Sequence, residues 1–218
     1  YGNDGVVHGA TLVPGLEQLG NALSFDGNDY VSVADSNSLT FGNGTIDGGF
    51  SIESWINYDL INSFDIVKKD REYYLTNNNC LRLYLYDASS GGVIGKSPAC
   101  LSNTYKGEWV HLIVTYDGSG WDGINFYING NQLSGGTTAG SVSGYVSMEN
   151  TSNILSIGST ATKGKIDEVR IYGSALSSSA IRENYLAGLD KLLASGQITE
   201  DDYQQRIAEL NSNYVARK

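Results

Sequence analysis

The sequence predicts a mainly β fold, in which two antiparallel sheets form a sandwich that is followed by a C-terminal α-helical hairpin. About a dozen short segments before residue 173 alternate apolar and polar side chains and end in turn residues, as half-buried strands do. Only 17% of the 218 residues are charged, whereas 27 glycines and 15 tyrosines suit twisted strands joined by tight turns. Helical spacing of apolar residues appears only after residue 177. We therefore divide the chain into a sandwich over residues 1–173 and a helical tail over residues 174–218.

The predicted strands follow one another without helical crossovers, which excludes a parallel α/β sheet. Residues 50–57 place Glu53 and Trp55 on one face and the alternating residues from Phe50 to Ile56 on the other. Asn129-Gly130 predicts a two-residue type I′ hairpin turn. The clearest strand patterns cover residues 20–33, 50–57, 108–116, 123–132, 153–158 and 164–172.

Cys80 and Cys100 are the only cysteines of the chain. A strand over residues 81–86 and a return strand over residues 93–101 form a predicted hairpin about position 90. The numbers of paired residues then add to 180, so Cys80 and Cys100 fall opposite each other, and suitable local geometry allows a disulfide. Such a bridge would stabilise the fold by ~3 kcal/mol in the chain-entropy model and would imply an oxidising compartment. The alternative is two independent buried thiols.

The opening and closing strands resemble those of a known family. Residues 20–33 (GNALSFDGNDYVSV) and 164–172 (GKIDEVRIY) resemble the entry and exit strands of the LamG-like jelly roll, a branch of the concanavalin A-like lectin sandwiches. Residues 50–57, 108–116 and 123–132 are similar to three further strands of that family. The resemblance covers roughly residues 1–180, and it implies a jelly-roll module of a kind that binds or adheres more often than it catalyses.

In LamG-like domains a further strand, usually rich in aromatic residues, comes before the first strand of this sequence, whereas the chain begins at Tyr1 inside the pattern. The resemblance thus implies a sheet that lacks one strand at an edge. Exposed edges invite pairing with another chain. We expect a separate polypeptide or an excised precursor segment to fill the gap; the alternative is an edge that is left open or is blunted by a loop.

The tail predicts two short helices. Gly196 is placed to end the first helix, and Thr199 is placed to cap the second. Tyr203, Ile207, Leu210 and Tyr214 then form an apolar stripe. Residues 189–203 resemble the short SHOCT-type helical hairpin and also tails that follow LamG-like domains in bacterial pilin-like surface proteins. Two short helices cannot bury their apolar faces alone, so we expect the tail to dock on the sandwich or on a neighbour.

The resemblance also implies a structural Ca²⁺, which LamG-like relatives often hold near turns. We carry over Asp26, Asp29 and Asp167 as its ligands, since the first two lie in one turn and Asp167 lies on the closing strand. The loop 35–49, with Asp47, offers further oxygen ligands. The alternative is turn chemistry alone, because Asp and Asn side chains bond their own backbone in such loops.

Aromatic side chains are the candidate ligand-binding residues, because sugars stack on exposed rings. Trp121 is the first candidate, since it lies in a loop between two strands, where a large aromatic residue is costly to expose without a use. Tyr84, Tyr86 and Tyr105 are the further ligand candidates, and Tyr58 and Tyr145 are of the same kind. The alternative is that tyrosine is simply common on sheet faces.

Several function classes are excluded by composition and spacing. A net charge of −10 argues against nucleic acid and anionic membrane surfaces as partners, and no apolar run is long enough for a membrane span. Glu53 is the only carboxylate on its strand, and adjacent Asp167 and Glu168 should point to opposite faces, so neither pattern provides the paired carboxylates of a glycosidase. We therefore expect no enzymatic activity.

Together these features predict a non-catalytic extracellular surface protein or pilus-like filament subunit that carries a LamG-like adhesion module. The alternatives are a carbohydrate-binding module of a secreted protein and, third, a glycoside hydrolase of the same sandwich class. The expected partners are a glycan or a surface protein, together with further copies in a filament or a second chain that supplies the missing strand. The expected location is extracellular or at the cell surface.

Overall fold

The computed structural model of the protein describes residues 2–17, 20–58, 64–78, 80–98, 105–138 and 144–215. The strands form two antiparallel sheets, and two helices follow them at the C-terminal end of the chain, so the predicted fold class is confirmed. The elements in chain order are β1 (Gly5–His8), β2 (Thr11–Pro14), β3 (Asn21–Asp26), β4 (Tyr30–Val33), β5 (Phe50–Tyr58), β6 (Phe64–Lys69), β7 (Tyr73–Asn78), β8 (Cys80–Tyr86), β9 (Val93–Ser97), β10 (Val110–Tyr116), β11 (Ile124–Ile128), β12 (Asn131–Gln132), β13 (Thr137–Thr138), β14 (Leu155–Ile157), β15 (Lys163–Tyr172), α1 (Ser178–Ala194) and α2 (Glu200–Val215).

The two sheets face each other across the main apolar core. Over the described residues, one sheet has eight strands in the order β1-β4-β14-β6-β7-β8-β9-β13, and the other has seven in the order β12-β11-β10-β5-β15-β3-β2. Neither helix of the described part is long and apolar enough to cross a membrane.

Strand β5 lies at the centre of the seven-stranded sheet, between β10 and β15. Every residue from Phe50 to Tyr58 is buried. Ile52 and Ile56 face the core between the sheets, whereas Trp55 belongs to a second apolar cluster on the outer face. The predicted alternation is therefore correct, and both faces of the strand are covered.

The hairpin of β8 and β9 has a different register from the predicted one. Leu83 pairs with Lys96, so the numbers of paired residues add to 179, and the predicted value of 180 is wrong by one residue. The turn is the cause, because the amide of Asp87 donates to the carbonyl oxygen of Gly92 at 2.9 Å and leaves residues 88–91 as the loop. The hairpin is thereby centred between residues 89 and 90.

The turn between β11 and β12 has the predicted type I′ character. Asn129 and Gly130 have φ values of 49° and 73°, a pair that asparagine and glycine adopt most readily. Asn129 also ties the turn to β10, since its Oδ1 atom accepts a hydrogen bond from the amide of His111 at 3.0 Å.

The helical tail has the predicted start and stop signals. Gly196 follows α1 with a φ of 72°, which ends the helix. Thr199 and Asp202 form a capping box at the start of α2: Oγ1 of Thr199 accepts from the amide of Asp202 at 3.2 Å, and Oδ2 of Asp202 accepts from the amide of Thr199 at 3.1 Å. These local hydrogen bonds explain why two helices form here.

The tail docks on the outer face of the seven-stranded sheet, in agreement with the expected docking. Tyr203 and Ile207 of the predicted α2 stripe pack against the shared cluster, and the side chain of Tyr214 lies outside the described part. The buried residues of this cluster are Leu16, Ala22, Trp55, Trp109, Tyr185, Leu189, Leu192 and Leu210. The boundary at residue 173 stays a prediction.

In the described residues, the C-terminal half of β15 has a neighbouring strand on one side only. Lys163 to Ile166 pair with β3, but after a β-bulge beyond Asp167 the strand pairs only with β5 in the described residues. The bulge residue Glu168 has a φ of 52°. This open edge borders an apolar cleft of about 470 Å³, which we call the edge cleft; its lining includes Val33, Leu39, Phe41, Leu155, Val169 and Ile171.

Replacement of Gly188 by Ala should weaken tail docking, because the added Cβ atom would lie 2.4 Å from Cζ2 of Trp55. In a helix interior this change ordinarily gains about 0.5–1 kcal/mol, whereas a clash at a packed contact costs ~1–3 kcal/mol. We expect a net loss of stability and a Tm lower by a few degrees in thermal unfolding. Gly173→Ala is the matched control, since nothing lies within 4 Å of its added Cβ atom. Equal Tm values for the two variants would contradict the tight contact.

Candidate ligand-binding site

A groove opens at the rim of the sandwich, where connections between strands meet. It has a volume of about 330 Å³, and we call it the rim groove; its lining includes Ile46, Asp47, Tyr116, Trp121, Tyr145 and Val146. Ile46 and Val146 are 67% and 62% exposed. Apolar and aromatic side chains around a few fixed polar groups are the usual composition of a small-molecule site.

Asp47 holds the groove together. Its Oδ2 atom accepts hydrogen bonds from the hydroxyl groups of Tyr116 at 2.7 Å and Tyr145 at 2.6 Å, and its Oδ1 atom accepts one from the amide of Met148 at 2.7 Å. Burial raises the pKa of both tyrosines, and the hydrogen bond to Asp47 raises it further. Both hydroxyl groups therefore stay protonated and donate. One carboxylate thus joins the loop before β5, the end of β10 and the segment before β14.

Trp121 lies in a 3-10 turn between β10 and β11 and lines the rim groove, as a predicted ligand residue should. It is half-buried, and Nζ of Lys96 lies 4.7 Å from its ring centroid. Lys96 is fixed in turn, since its Nζ donates to the carbonyl oxygen of Ile124 at 2.8 Å. The indole Nε1 is buried without a hydrogen-bond partner in the described part of the chain. An unpaired buried donor requires an explanation, and an ordered water molecule beside the ring would supply one.

Tyr84 and Tyr86 lie on a different surface. They are half-buried on the outer face of the eight-stranded sheet, with their ring centroids 6.3 Å apart, and Tyr74 lies 6.3 Å from Tyr84. Neither Tyr84 nor Tyr86 lines the rim groove. The predicted ligand residues therefore do not form one site, and this row of tyrosines fits the alternative of ordinary sheet-face residues.

Tyr105 lies in a third place, a polar pocket of about 560 Å³ between the helical tail and the seven-stranded sheet. We call it the tail pocket; its lining includes Asn57, Tyr105, Trp109, Lys165, Arg206 and Glu209. Burial raises the pKa of Tyr105, and the carboxylates of Glu209 and Glu108 raise it further. The hydroxyl group of Tyr105 is therefore protonated at neutral pH.

The three carboxylates predicted to bind calcium do not meet. Asp26 and Asp29 share a turn, where Oδ2 of Asp29 accepts from the amide of Asp26 at 2.8 Å and Oδ1 of Asp26 accepts from the amide of Asn28 at 3.1 Å. Asp26 pairs with Lys163, so Asp167 lies four residues further along β15, about 13 Å away at the usual strand rise.

The described residues contain no group of three or more His, Cys, Asp and Glu side chains suited to a metal ion. The hydrogen bonds of the Asp26–Asp29 turn are those of the turn-chemistry alternative. The predicted three-carboxylate set therefore does not fit this structure. Calcium binding stays a prediction, which melting curves recorded with calcium and with EDTA would test.

The predicted disulfide involves a residue outside the described part. Cys80 is the half-buried first residue of β8, whereas Cys100 lies outside the described residues. The bridge stays a prediction.

Two parts of the rim groove were missed from the sequence. Asp47 is predicted only as a metal ligand, and its role as the acceptor for Tyr116 and Tyr145 depends on residues 69 and 98 positions away. Lys96 beneath Trp121 carries no motif at all. The one local signal is the position of Asp47 in the loop before the buried strand β5. An aspartate in a loop indicates a turn, and it does not predict an acceptor for two distant tyrosines.

The family comparison identifies the fold. A family model, Laminin_G_3, described as the concanavalin A-like lectin/glucanases superfamily, matches residues 25–182, which is more than half of the chain. The chain belongs to this superfamily. A search of curated proteins found no match. The LamG-like resemblance of the sandwich is thereby confirmed, whereas the SHOCT-type and pilin-like resemblances of the tail stay predictions.

Solved structures share the superfamily fold with this chain. The binding domain of Paraclostridial Mosquitocidal Protein 1 has a TM-score of 0.64 at 16% identity, with 86% of this chain and 48% of that chain covered. The botulinum neurotoxin serotype G binding domain gives 0.62 at 15% identity, with 86% and 47% covered. Domain 4 of AbnA, a GH43 extracellular arabinanase from Geobacillus stearothermophilus in complex with arabinotriose, gives 0.55 at 18% identity, with 82% and 86% covered. The chain thus spans about half the length of the two toxin binding domains.

Because the superfamily name includes glucanases, the role of the buried carboxylate of Glu53 on β5 has to be explained. Glu53 is 0% exposed and lies under α1. It accepts hydrogen bonds from Nε2 of His111 at 2.9 Å, Nδ2 of Asn184 at 2.9 Å and Nη1 of Arg170 at 3.3 Å, and also from the hydroxyl group of Tyr172. Since Asn184 belongs to α1, this carboxylate helps to fix the helix to the sheet.

Asp167 and Glu168 depart from the predicted alternation. Oδ2 of Asp167 accepts from the amide of Leu16 at 2.9 Å, and Oε1 of Glu168 accepts from Nζ of Lys191 on α1 at 3.2 Å. Both side chains therefore bond on the side that the tail covers. The prediction of opposite faces is wrong because the β-bulge interrupts the period of two.

The charge state of the Glu53–His111 pair follows from its surroundings. Burial lowers the pKa of His111 by more than the contact with Glu53 raises it. Burial raises the pKa of Glu53, but the hydrogen bonds from His111 and Tyr172 and the charge of Arg170 together lower it by more. At neutral pH the pair is a carboxylate that accepts a hydrogen bond from a neutral imidazole.

The stability of the protein should fall as the pH is lowered from 7 to 5. His111 binds a proton less readily in the folded chain than in the unfolded chain, so the unfolded state gains protons first, from about pH 6.5 downward. Glu53 adds to the loss below about pH 4.5, since its pKa is also lowered by folding.

Thermal unfolding between pH 5 and pH 7 measures this effect. His111→Gln should flatten the dependence of Tm on pH, because the titrating group is removed and a side-chain donor is kept. His8→Gln, which replaces the other histidine, should retain the dependence. If the two variants have the same pH dependence, the His111 account is wrong.

Proposed function

We propose that this chain is a non-catalytic binding module that recognises a glycan in the rim groove. The observation that carries the proposal is the meeting of Trp121, Tyr145 and the fixed carboxylate of Asp47 in one groove, flanked by the exposed side chains of Ile46 and Val146. Aromatic and apolar groups can cover the C–H face of a sugar, and fixed polar groups can orient its hydroxyl groups.

The geometry favours a ligand that fits a rigid groove. Asp47 is held by two tyrosines and a main-chain amide, so little ordering of loops is needed when a ligand binds. The half-exposed ring of Trp121 offers an aromatic surface on which a sugar can stack. Support by analogy comes from the arabinanase domain in complex with arabinotriose, which has the same fold.

A non-catalytic role is supported by the placement of the carboxylates. Retaining glycosidases need two carboxyl groups about 5–5.5 Å apart across the scissile bond. Asp47 is the one acidic residue that lines the rim groove among the described residues. Glu53, Asp167 and Glu168 lie on the face that the helical tail covers. An extracellular or cell-surface location suits a module that binds glycans and is proposed with it.

Trp121→Ala should lower the affinity for the bound glycan at least tenfold, because the aromatic stacking surface of the rim groove is lost. A panel that contains arabinotriose, mannotriose and sialyllactose would first identify a ligand, and calorimetric titration of purified protein would then compare the variants. Tyr84→Ala is the matched comparison, since it removes an aromatic ring from the sheet face outside the groove. Affinity lost in Tyr84→Ala but kept in Trp121→Ala would refute the groove, provided that both variants melt like the parent protein.

A second role, as a subunit that accepts a strand from another chain, is supported by the open edge of β15. The residues from Arg170 to Tyr172 pair with β5 on one side only in the described residues, and the edge cleft lies beside them. An added strand would bond to the free edge and place alternate apolar side chains in the cleft. A neighbour that donates such a strand would link subunits into a filament and bring several binding modules to one surface, as adhesion requires.

Fusion of an eight-residue strand of alternating valine and threonine to Tyr1 through a short glycine-serine linker tests this role. Asn3 lines the edge cleft, so the fused strand begins close to it. We expect the fusion to raise Tm by several degrees, because about four apolar side chains and the edge amides are buried. The control fusion has aspartate in place of each valine. If both fusions melt at the same temperature, the edge does not accept a strand.

A further inference from the structure

We propose that the tail pocket is a second ligand site, independent of the rim groove, which binds a small neutral sugar of one or two residues. The pocket has a volume of about 560 Å³ and is walled by the sheet on one side and by α2 on the other. Pockets that hold small ligands usually enclose about 300–1,000 Å³, so the space suits a ligand of this size.

The sheet supplies the floor of the tail pocket. Asn57 of β5 and Lys165 of β15 are direct cross-strand partners, so their side chains project to the same side. Asn57 is 8% exposed, and its Nδ2 atom donates to the carbonyl oxygen of Gly107 at 2.9 Å. Its position is therefore fixed, and no group of the described residues donates a hydrogen bond to its Oδ1 atom.

Helix α2 supplies the opposite wall. Asp202, Arg206 and Glu209 follow one another at helical spacing and line the pocket together. Arg206 is anchored to the sheet side, because Nη1 donates to the carbonyl oxygen of Trp109 at 2.9 Å and Nη2 pairs with Oε2 of Glu108 at 3.1 Å. The two walls are thus joined at one end, and the pocket keeps its width.

Two donors of the pocket have no partner in the described part of the chain. Neither the ammonium group of the half-buried Lys165 nor the hydroxyl group of Tyr105 forms a hydrogen bond or an ion pair there. Neither atom is among the buried unpaired polar atoms of the described residues, so both donors are open to solvent and to a ligand. The oxygen atoms of a ligand would accept hydrogen bonds from them.

The charges of the pocket favour a neutral ligand. Lys165 and Arg206 are opposed by Glu108, Asp202 and Glu209 among the lining residues, so a strongly anionic ligand would meet carboxylates and a cation would meet the two bases. Sugar hydroxyl groups both donate and accept hydrogen bonds. They can therefore satisfy Lys165 and Tyr105 and at the same time donate to the carboxylates.

Ligand-observed NMR titration of the full chain with galactose, mannose, arabinose and lactose, and with glucuronate as the charged comparison, tests the site. We expect one neutral sugar to bind at least fivefold more weakly to Tyr105→Phe and to Lys165→Gln, since each variant loses one hydrogen bond to the ligand. Lys163→Gln is the matched control, because it removes a lysine from the same strand outside the pocket. The same sugar should raise the Tm of the parent protein, because it joins the tail to the sheet.

The outcomes separate this site from the rim groove. Loss of affinity in Tyr105→Phe and Lys165→Gln with unchanged Tm of the unliganded variants supports the tail pocket, whether or not Trp121→Ala affects any other glycan. A sugar whose affinity falls only in Trp121→Ala belongs to the rim groove and overturns the tail pocket for that sugar. Binding of glucuronate alone, or no binding of any neutral sugar, overturns the proposal outright.

Discussion

Burial of the central strand β5 on both faces is the constraint on which the rest of the structure depends. Its inner residues contact the core between the sheets, and its outer residues lie on the face that the helical tail covers. Since a helix covers the outer face, Trp55 must be matched by a residue without a side chain, and Gly188 takes that place. The buried carboxylate of Glu53 must likewise be matched by donors, and the sheet and α1 both supply them.

Because the helical tail covers the outer face of β5, a ligand can reach the protein only at other places. The helical tail occupies the outer side of the seven-stranded sheet, so accessible concave surfaces lie at the rim, at the open edge and at the margin of the tail. The rim groove, the edge cleft and the tail pocket occupy these three places. The polar residues beneath the tail attach it to the sheet. They form an ionic cluster that resembles a catalytic site, but their role is structural.

Local sequence signals predicted the local structure well. The alternation of β5, the Asn129-Gly130 turn and the caps at Gly196 and Thr199 each depend on residues that are close in sequence. The sandwich could therefore be predicted from pattern and resemblance. The register of the β8–β9 hairpin could not, because the hydrogen bonds of Asp87 decide the length of its loop.

The arrangement of the candidate sites was not accessible from the sequence. Trp121, Tyr84 and Tyr105 are alike in chemistry, but the fold distributes them over three surfaces. Asp167 is separated from Asp26 by the register of β15 on β3. Such positions depend on pairings between distant segments. At Glu168 they also depend on a positive φ, which the sequence does not indicate because the residue is not a glycine.

The hydrogen bonds that Asp47 accepts have a consequence for which residues of the rim groove can be replaced. Its carboxylate bonds to two hydroxyl groups and one main-chain amide, and none of these bonds involves the side chains of Ile46 or Val146. Those two positions can accept other residues while the connections around them keep their places. The rim is therefore a frame on which selection, natural or in the laboratory, can vary specificity without rebuilding the sandwich.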